Sequence, residues 1–151
     1  MIEIVPFQPK HAQAFYELNK EWIEHFFEME PEDFKVLENP EKFILNPGGF
    51  IFMALLNQLP VGACALIIRE NNTFELSKRA VSPKFQGLKI GQLLAQKTIE
   101  KAKQIGVQKI FLITNSALIP AIALYKKLGF LNVQNFESSY TRGDVKMELH
   151  L

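Results

Sequence analysis

Between Phe50 and Val81 the chain passes through three strand-like runs, Phe50 to Leu56, Val61 to Ile68 and Thr73 to Val81, joined only by Asn57 to Pro60 and Arg69 to Asn72. Connections this short and polar join antiparallel neighbours, so the segment reads as a meander. At Ser82-Pro83 the period changes. Ile90, Leu93, Leu94, Ala102 and Ile105 mark one face of a helix that should run to Gly106, a residue suited to a helix C-terminus. Lys109 to Thr114 then forms a continuous apolar strand, expected to be buried on both faces. Ala117 to Leu128 reads as a second helix, with Lys126 and Lys127 in its last turn where they complement the helix dipole, and Gly129 just beyond. A meander followed by strand, helix, strand calls for a mixed sheet with helices on its faces. The crossover should be right-handed.

The flanks complete the pattern. Glu3 to Phe7 is a short strand candidate that ends near Pro9, and Lys10 to Phe27 is helical in period. Phe15, Leu18, Trp22 and Phe26 make one apolar stripe there, and Glu17, Glu21, Glu24 and Glu28 make an acidic one. Pro31 can open a further helix as its first residue, with Phe34 and Leu37 inward. Asn39-Pro40 and Pro47-Gly48-Gly49 are breakers. Phe130 to Phe136 and Val145 to Leu151 are the last strands, and in the second Val145, Met147 and Leu149 alternate with Lys146, Glu148 and His150. The chain has 151 residues and shows neither repeat nor linker, which favours one domain over 1-151. The expected class is α/β (α+β): a mixed, mostly antiparallel central sheet of about seven strands flanked by about four helices.

Composition excludes several functions. The formal net charge is +1, so nothing favours nucleic acid, which would need a basic patch. The most apolar region, Phe50 to Ile68, is broken at Asn57-Gln58-Leu59-Pro60, and neither half reaches the ~20 residues that span a bilayer. The N-terminus lacks the pattern of a signal peptide. The single cysteine, Cys64, permits no intrachain disulfide, and a reducing cytoplasm is the expected setting. Cys64 lies in the apolar run Val61 to Leu66, so a buried, inert thiol is expected rather than a nucleophile. His11, His25 and His150 have no partners at metal-ligand spacing, so no metal is expected.

The segment from Val81 to Leu94 leaves a strand, passes Gly87 and Gly91 and enters a helix. A helix N-terminus presents free N–H groups and a partial positive charge, so it receives phosphate oxygens well. Gly87 and Gly91 would let backbone approach a bulky pyrophosphate. Two glycines between a strand and a helix are also ordinary loop punctuation, and neither a Walker loop nor a dinucleotide fingerprint is present.

Two stretches together resemble the GNAT superfamily of N-acetyltransferases. One is Ala80-Val81 followed by Gln86-Gly87-Leu88-Lys89-Ile90-Gly91, against the signature Arg/Gln-x-x-Gly-x-Gly/Ala. The other is Asn115 to Phe130, ending Ala121-Ile122-Ala123-Leu124-Tyr125-Lys126-Lys127-Leu128-Gly129-Phe130. Residue-level similarity covers about Glu75 to Phe130, and the element order fits nearly the whole chain. The resemblance implies a GNAT-like fold, acetyl-CoA as acyl donor, and strands Thr73 to Val81 and Lys109 to Thr114 that splay apart to admit the pantetheine arm. It implies cofactor contacts from Ala80, Val81, Gln86, Gly87, Leu88, Lys89, Ile90, Gly91, Gln92, Asn115 and Tyr125.

Lys89 departs from the signature, which has glycine there. If the position needs φ > 0, lysine costs on the order of 1–2 kcal/mol. If φ is negative, Lys89 can put a cation near the phosphates, and that is the reading adopted. Leu118 is a smaller departure, where many members carry Asn; Asn115 would substitute for it.

The implied chemistry is attack of a neutral amine on a polarised thioester. Backbone N–H near Ala80 and Val81 would act as the oxyanion donor. Tyr125 falls at the family's general-acid position. An amine of pKa ~10 is mostly protonated at pH 7, so a base helps. Glu75, five residues before Ala80, is the candidate, against the alternative of a surface residue paired with a lysine. The acidic stripe, continued by Glu30, Glu32 and Asp33, could draw in a cationic amine or be a solvated face. Trp22, Phe26 and Phe27 either line the acceptor pocket or belong to the core. The expected acceptor is a small-molecule or peptide amine, and the resemblance makes a homodimer plausible. The competing readings are an acyl-CoA-binding sensor or partner module without turnover and, more weakly, a purely structural oligomerisation domain.

Overall fold

The computed structural model describes residues 1–138 and 140–151. Its strands are β1 (Ile2–Pro6), β2 (Phe50–Leu56), β3 (Leu59–Arg69), β4 (Thr73–Val81), β5 (Lys109–Thr114), β6 (Leu131–Val133) and β7 (Val145–His150). They form one sheet in the order β1-β2-β3-β4-β5-β7-β6. The helices are α1 (Ala12–Phe26), α2 (Pro31–Glu38), α3 (Ile90–Gln104) and α4 (Ile119–Lys127), with shorter helical turns between elements. The mixed, mostly antiparallel sheet read from the sequence is what the chain forms, and β4 with β5 is the parallel pair.

Both faces of the sheet centre are buried, which is why β2 and β3 are apolar without polar alternation. On β2, Ile51, Met53 and Leu55 face α1 and α2, whereas Phe52 and Ala54 face α3 and α4. On β3, Ala63, Ala65 and Ile67 take the first side and Cys64 and Leu66 the second. Small side chains at Gly62, Ala63 and Ala65 let helices approach closely: a Cβ on Gly62 would meet Leu94 at 3.0 Å and Ile90 at 3.1 Å.

Four expectations change in detail. Phe34, expected inward on α2, is exposed, and Val36 joins Leu37 on the inner face instead. The outer face of β5 is less covered than expected: Ile110 and Leu112 are buried, but Phe111 and Ile113 are half-buried, with Lys146 Nζ 4.8 Å from the Phe111 ring centroid. Helix α4 begins at Ile119 rather than Ala117 because Asn115 Oδ1 accepts a hydrogen bond from the Ala117 N–H at 2.8 Å, a local turn that competes with the helix. The strand expected over Phe130 to Phe136 is only Leu131–Val133, and Asn135 beyond it adopts φ of +53°, which breaks extension.

Two features of β4 create the site. First, β4 and β5 are in register at Glu75 and Phe111 and then part, leaving the rest of the β4 edge without a β5 partner. Second, β4 carries a bulge. Ala80 pairs with Ala63 and Ser77 with Ala65, so Lys78 and Arg79 together oppose Cys64. Lys78 sits at φ of +55°. An extra residue switches the faces beyond it. Leu76 belongs to the α3/α4 side and Ala80 to the α1/α2 side, though both are even-numbered. Lys78 therefore reaches Asp33 on α2, while Arg79 reaches Tyr125 on α4.

Candidate active site

The first part of the site is a groove at the start of α3. It has a volume of about 540 Å³ and is lined by Val81, the loop Phe85 to Gly87, the first turn from Lys89 to Gln92, the turn at Ala117 and Leu118, and α4 at Pro120, Ala121 and Leu124. No side chain caps α3, so the N–H groups of its first turn are unspent. Ile90 is buried and offers only backbone here, whereas Gln86, Gly87, Leu88 and Lys89 are exposed. Gly87 uses φ of +85°, and no atom lies within 4 Å of a Cβ placed on it. Lys89 corrects the expectation of negative φ. It takes φ of 59° and ψ of 25°, the left-handed region, as α3's N-cap. The chain must turn sharply there to enter the helix, and the lysine carries the strain of about 1–2 kcal/mol that glycine would avoid.

The second part is a cavity of about 90 Å³ in the fork between β4 and β5. Its walls are α1 at Asn19, Trp22 and Ile23, Phe27 just beyond it, β4 from Glu75 to Arg79, the end of β5, α4, and Tyr140, Arg142 and Gly143. Trp22, Arg79, Leu118 and Ala121 line both the cavity and the groove. Phe26, 47% exposed, extends the α1 stripe along the groove rather than into the core.

Tyr125 is buried, packed edge-on to Phe130, and its hydroxyl accepts a hydrogen bond from Arg79 Nε at 3.0 Å. The guanidinium carbon lies 5.1 Å from the Tyr125 ring centroid. Burial works against the Arg79 cation, but the Tyr125 oxygen beside it more than offsets this and raises its pKa, so the charge persists. A Cβ on Gly91 would collide with Arg79 Nη1, so this side chain spans from β4 to the first turn of α3.

Glu75 is buried, not a surface residue, and lines the cavity. Its carboxylate accepts from Arg69 Nε at 2.7 Å, so its partner is an arginine rather than a lysine. Asn115 is also engaged: its Nδ2 donates to the Arg142 carbonyl at 2.7 Å while Oδ1 holds the α4 turn. Ala80 is buried, and Val81 flanks the groove.

The acidic stretch divides in two. Glu17, Glu21, Glu24 and Glu28 are exposed and solvated. Glu30, Glu32 and Asp33 are ion-paired with Arg142, Arg69 and the Lys78/Arg142 pair. Asp33 is fully buried and accepts from Lys78 Nζ at 2.7 Å, both Arg142 Nη groups at 2.7 Å and the Glu30 N–H at 2.9 Å. Burial would raise its pKa, but these donors, Arg142 foremost, hold it below the ordinary carboxylate value. Tyr140 lies between Lys78, 4.7 Å from its ring centroid, and Arg142 at 4.6 Å. Cys64 is fully buried and its pKa is pushed up to about 11 by desolvation, consistent with an inert thiol.

The sequence reading missed Arg79, Lys78, Tyr140 and Arg142, and it named Asp33 only as part of an acidic stretch. A signal existed, because Lys78-Arg79 places two cations inside a buried strand. What it lacked was the bulge that sends them to opposite faces.

The description "Acetyltransferase (GNAT) family" belongs to a family model that matches residues 11–130. An uncharacterised N-acetyltransferase of Schizosaccharomyces pombe is 31% identical over 77 residues, 51% of this chain and 47% of that protein. The chain spans about half the length of such curated relatives. The crystal structure of a GNAT-family acetyltransferase from Staphylococcus aureus Mu50 superposes with a TM-score of 0.89 at 25% identity, covering 99% of each chain. The PaiA N-acetyltransferase of Thermoplasma acidophilum, solved with coenzyme A, shares the fold with a TM-score of 0.75 at 18% identity, covering 100% of this chain and 99% of that one. With most of its length matched by the family model and its fold shared end to end, the chain belongs to the acetyltransferase (GNAT) family.

Proposed function

We propose that the protein moves an acetyl group from acetyl-CoA to a primary amine by direct attack in a ternary complex. The observation that carries this reading is the parting of β4 and β5 beyond Glu75 and Phe111, which joins an uncapped helix start to a cavity in the fork. The groove fits a diphosphate: the first-turn N–H groups of Ile90, Gly91 and Gln92 have no side-chain cap, and the Gln86 to Lys89 loop stands open beside them. The β4 edge at Ala80 and Val81 offers backbone pairing for a pantetheine arm and an N–H to polarise a thioester carbonyl, an effect of about 3 kcal/mol in comparable sites. Bound acetyl-CoA supplies the activated acyl group.

In this reading the cavity holds the amine. Glu75, oriented by Arg69, receives its proton directly or through water. Tyr125 gives a proton to the leaving sulfur. Its oxygen already accepts from Arg79, so its own O–H hydrogen is free for another acceptor. The cavity volume of about 90 Å³ suits a small amine or the end of a peptide rather than a bulky acceptor. The second reading, a module that binds acyl-CoA without turnover, is favoured by one observation: the candidate base is committed to an ion pair.

Release of CoA thiol over a panel of polyamines, amino acids and peptide amines separates the two. Turnover on at least one amine is expected; tight acetyl-CoA binding with turnover on none, and no effect of Tyr125→Phe, supports the module. The Gly91→Trp variant should lose CoA binding by at least about 10²-fold in calorimetry, because the indole fills the groove and displaces Arg79. Wild-type affinity in that variant would show the loop assignment to be wrong.

A further inference from the structure

Four residues line both the groove and the cavity: Trp22, Arg79, Leu118 and Ala121. A thioester fed from one side and attacked from the other must react where the two meet, and of these four only Arg79 is charged. The chain's three arginines differ in pairing. Arg69 and Arg142 each contact carboxylates, whereas Arg79 makes no ion pair among the described residues. Its one hydrogen bond is Nε to the Tyr125 hydroxyl. Among the described residues both Nη groups are without a protein acceptor, and neither is sealed from the cavity system. A cation kept in an apolar throat without a counter-ion is suited to a negative charge that arrives there.

We propose that Arg79 is the acceptor of charge from the departing sulfur, so that the protein holds product CoA as its thiolate. This rests on the CoA reading above. As the amine nitrogen bonds to the acyl carbon, the carbon–sulfur bond breaks and sulfur takes the electron pair. The nitrogen's surplus proton goes to Glu75 or water. Arg79 undergoes no covalent change; its Nη–H groups neutralise the sulfur, the Tyr125 proton assigned above to the leaving group is then held in a hydrogen bond to the thiolate, and solvent completes the protonation once CoA leaves the site. The bulge at Lys78-Arg79 is what turns this guanidinium toward Tyr125 and Gly91 instead of toward α2.

The test needs no acceptor. A free thiol of pKa about 8.5 is only a few per cent ionised at pH 7. One held beside arginine falls to about 3.5–7.5. Calorimetry in buffers of different ionisation enthalpy counts the protons released on binding. CoA is compared with acetyl-CoA and desulfo-CoA, which carry the same phosphates but no thiol. At pH 7 CoA should release about half a proton or more beyond the other two, with a matching rise in ultraviolet thiolate absorbance. Arg79→Met should abolish that excess while still binding acetyl-CoA, and Arg79→Lys should keep part of it. Equal release by CoA and acetyl-CoA in the parent overturns the proposal, as does an undiminished excess in Arg79→Met. If the methionine variant does not fold, Arg79→Gln and Arg79→Lys carry the comparison with the same criteria. Failure of every CoA species to bind the folded parent overturns this inference together with the CoA reading, whereas binding without excess proton release overturns this inference alone.

Discussion

At the scale of single residues, the proposed chemistry rests on a few side chains whose surroundings are unlike those of their neighbours. Tyr125 is buried on the sheet yet turns its hydroxyl to Arg79 at the throat of the fork. Tyr125→Phe removes one hydroxyl and no packing. It should lower kcat by about 10²-fold or more with acetyl-CoA affinity unchanged, read from steady-state rates beside calorimetry. Lys89 holds a left-handed N-cap at φ of 59°. Lys89→Gly relieves strain of about 1–2 kcal/mol, less about 0.5–1 kcal/mol of added chain entropy in the unfolded state. The net expectation is a gain of about 0.5–1 kcal/mol in urea unfolding; a loss of stability would show that Lys89 makes a compensating contact. The positions of Tyr125 and the glycine loop were legible in the sequence because the two stretches occur together in order and spacing, although neither alone is specific. Lys89's φ was not legible, since the backbone angle at a helix entry is set by where the loop must arrive.

At the scale of elements, short-range pattern and tertiary contact divide the labour. The 3.6-residue stripes predicted α1 and α3 closely, and their ends follow local rules. Gly106 closes α3 at φ of +91° as its position suggested. The entry to α1 depends on His11, which is buried and accepts a hydrogen bond from the Gln8 N–H through Nδ1 at 3.0 Å. Burial first, and Lys10 second, lower its pKa below 6.5. The unfolded chain therefore takes up this proton before the folded one does. The contribution is present above pH ~6.5 and is lost as pH falls through the lower folded value. The melting temperature should decline from pH 7.5 to pH 5.5, and His11→Gln should flatten that part of the decline. An unchanged slope in the variant would assign it to other groups. The β4 bulge was invisible at this scale, because Thr73 to Val81 reads as an ordinary strand until β3 is laid beside it.

For the whole molecule, the sheet divides the core in two, one cluster on each face, and β4 and β5 part to leave a fork beyond Glu75 and Phe111. Filling the groove should therefore stabilise the entire fold. A ligand at about 100 times its Kd adds about 2.7 kcal/mol, a rise of roughly 5–10 °C in melting temperature for a chain of this size. Acetyl-CoA at saturating concentration should produce it, and adenosine alone should not. No rise with any CoA species would remove the basis of the proposed function. No helix among the described residues is long and apolar enough to cross a membrane.

The sequence by itself determined the element order, the meander, the mixed sheet and the position of the glycine loop at the start of α3. These depend on periodicity, turn chemistry and helix-end electrostatics within a few residues. Only the tertiary structure decided that Glu75 is buried against Arg69, that Asp33 is locked between Lys78 and Arg142 rather than solvated, and that Arg79 meets Tyr125 where the groove joins the cavity. Each of these pairs residues from separate elements: Asp33 lies 45 residues from Lys78 and 109 from Arg142, and Arg79 lies 46 from Tyr125. Burial and charge pairing at such separations follow from how the strands register, and a one-residue bulge reverses which side chain faces which helix.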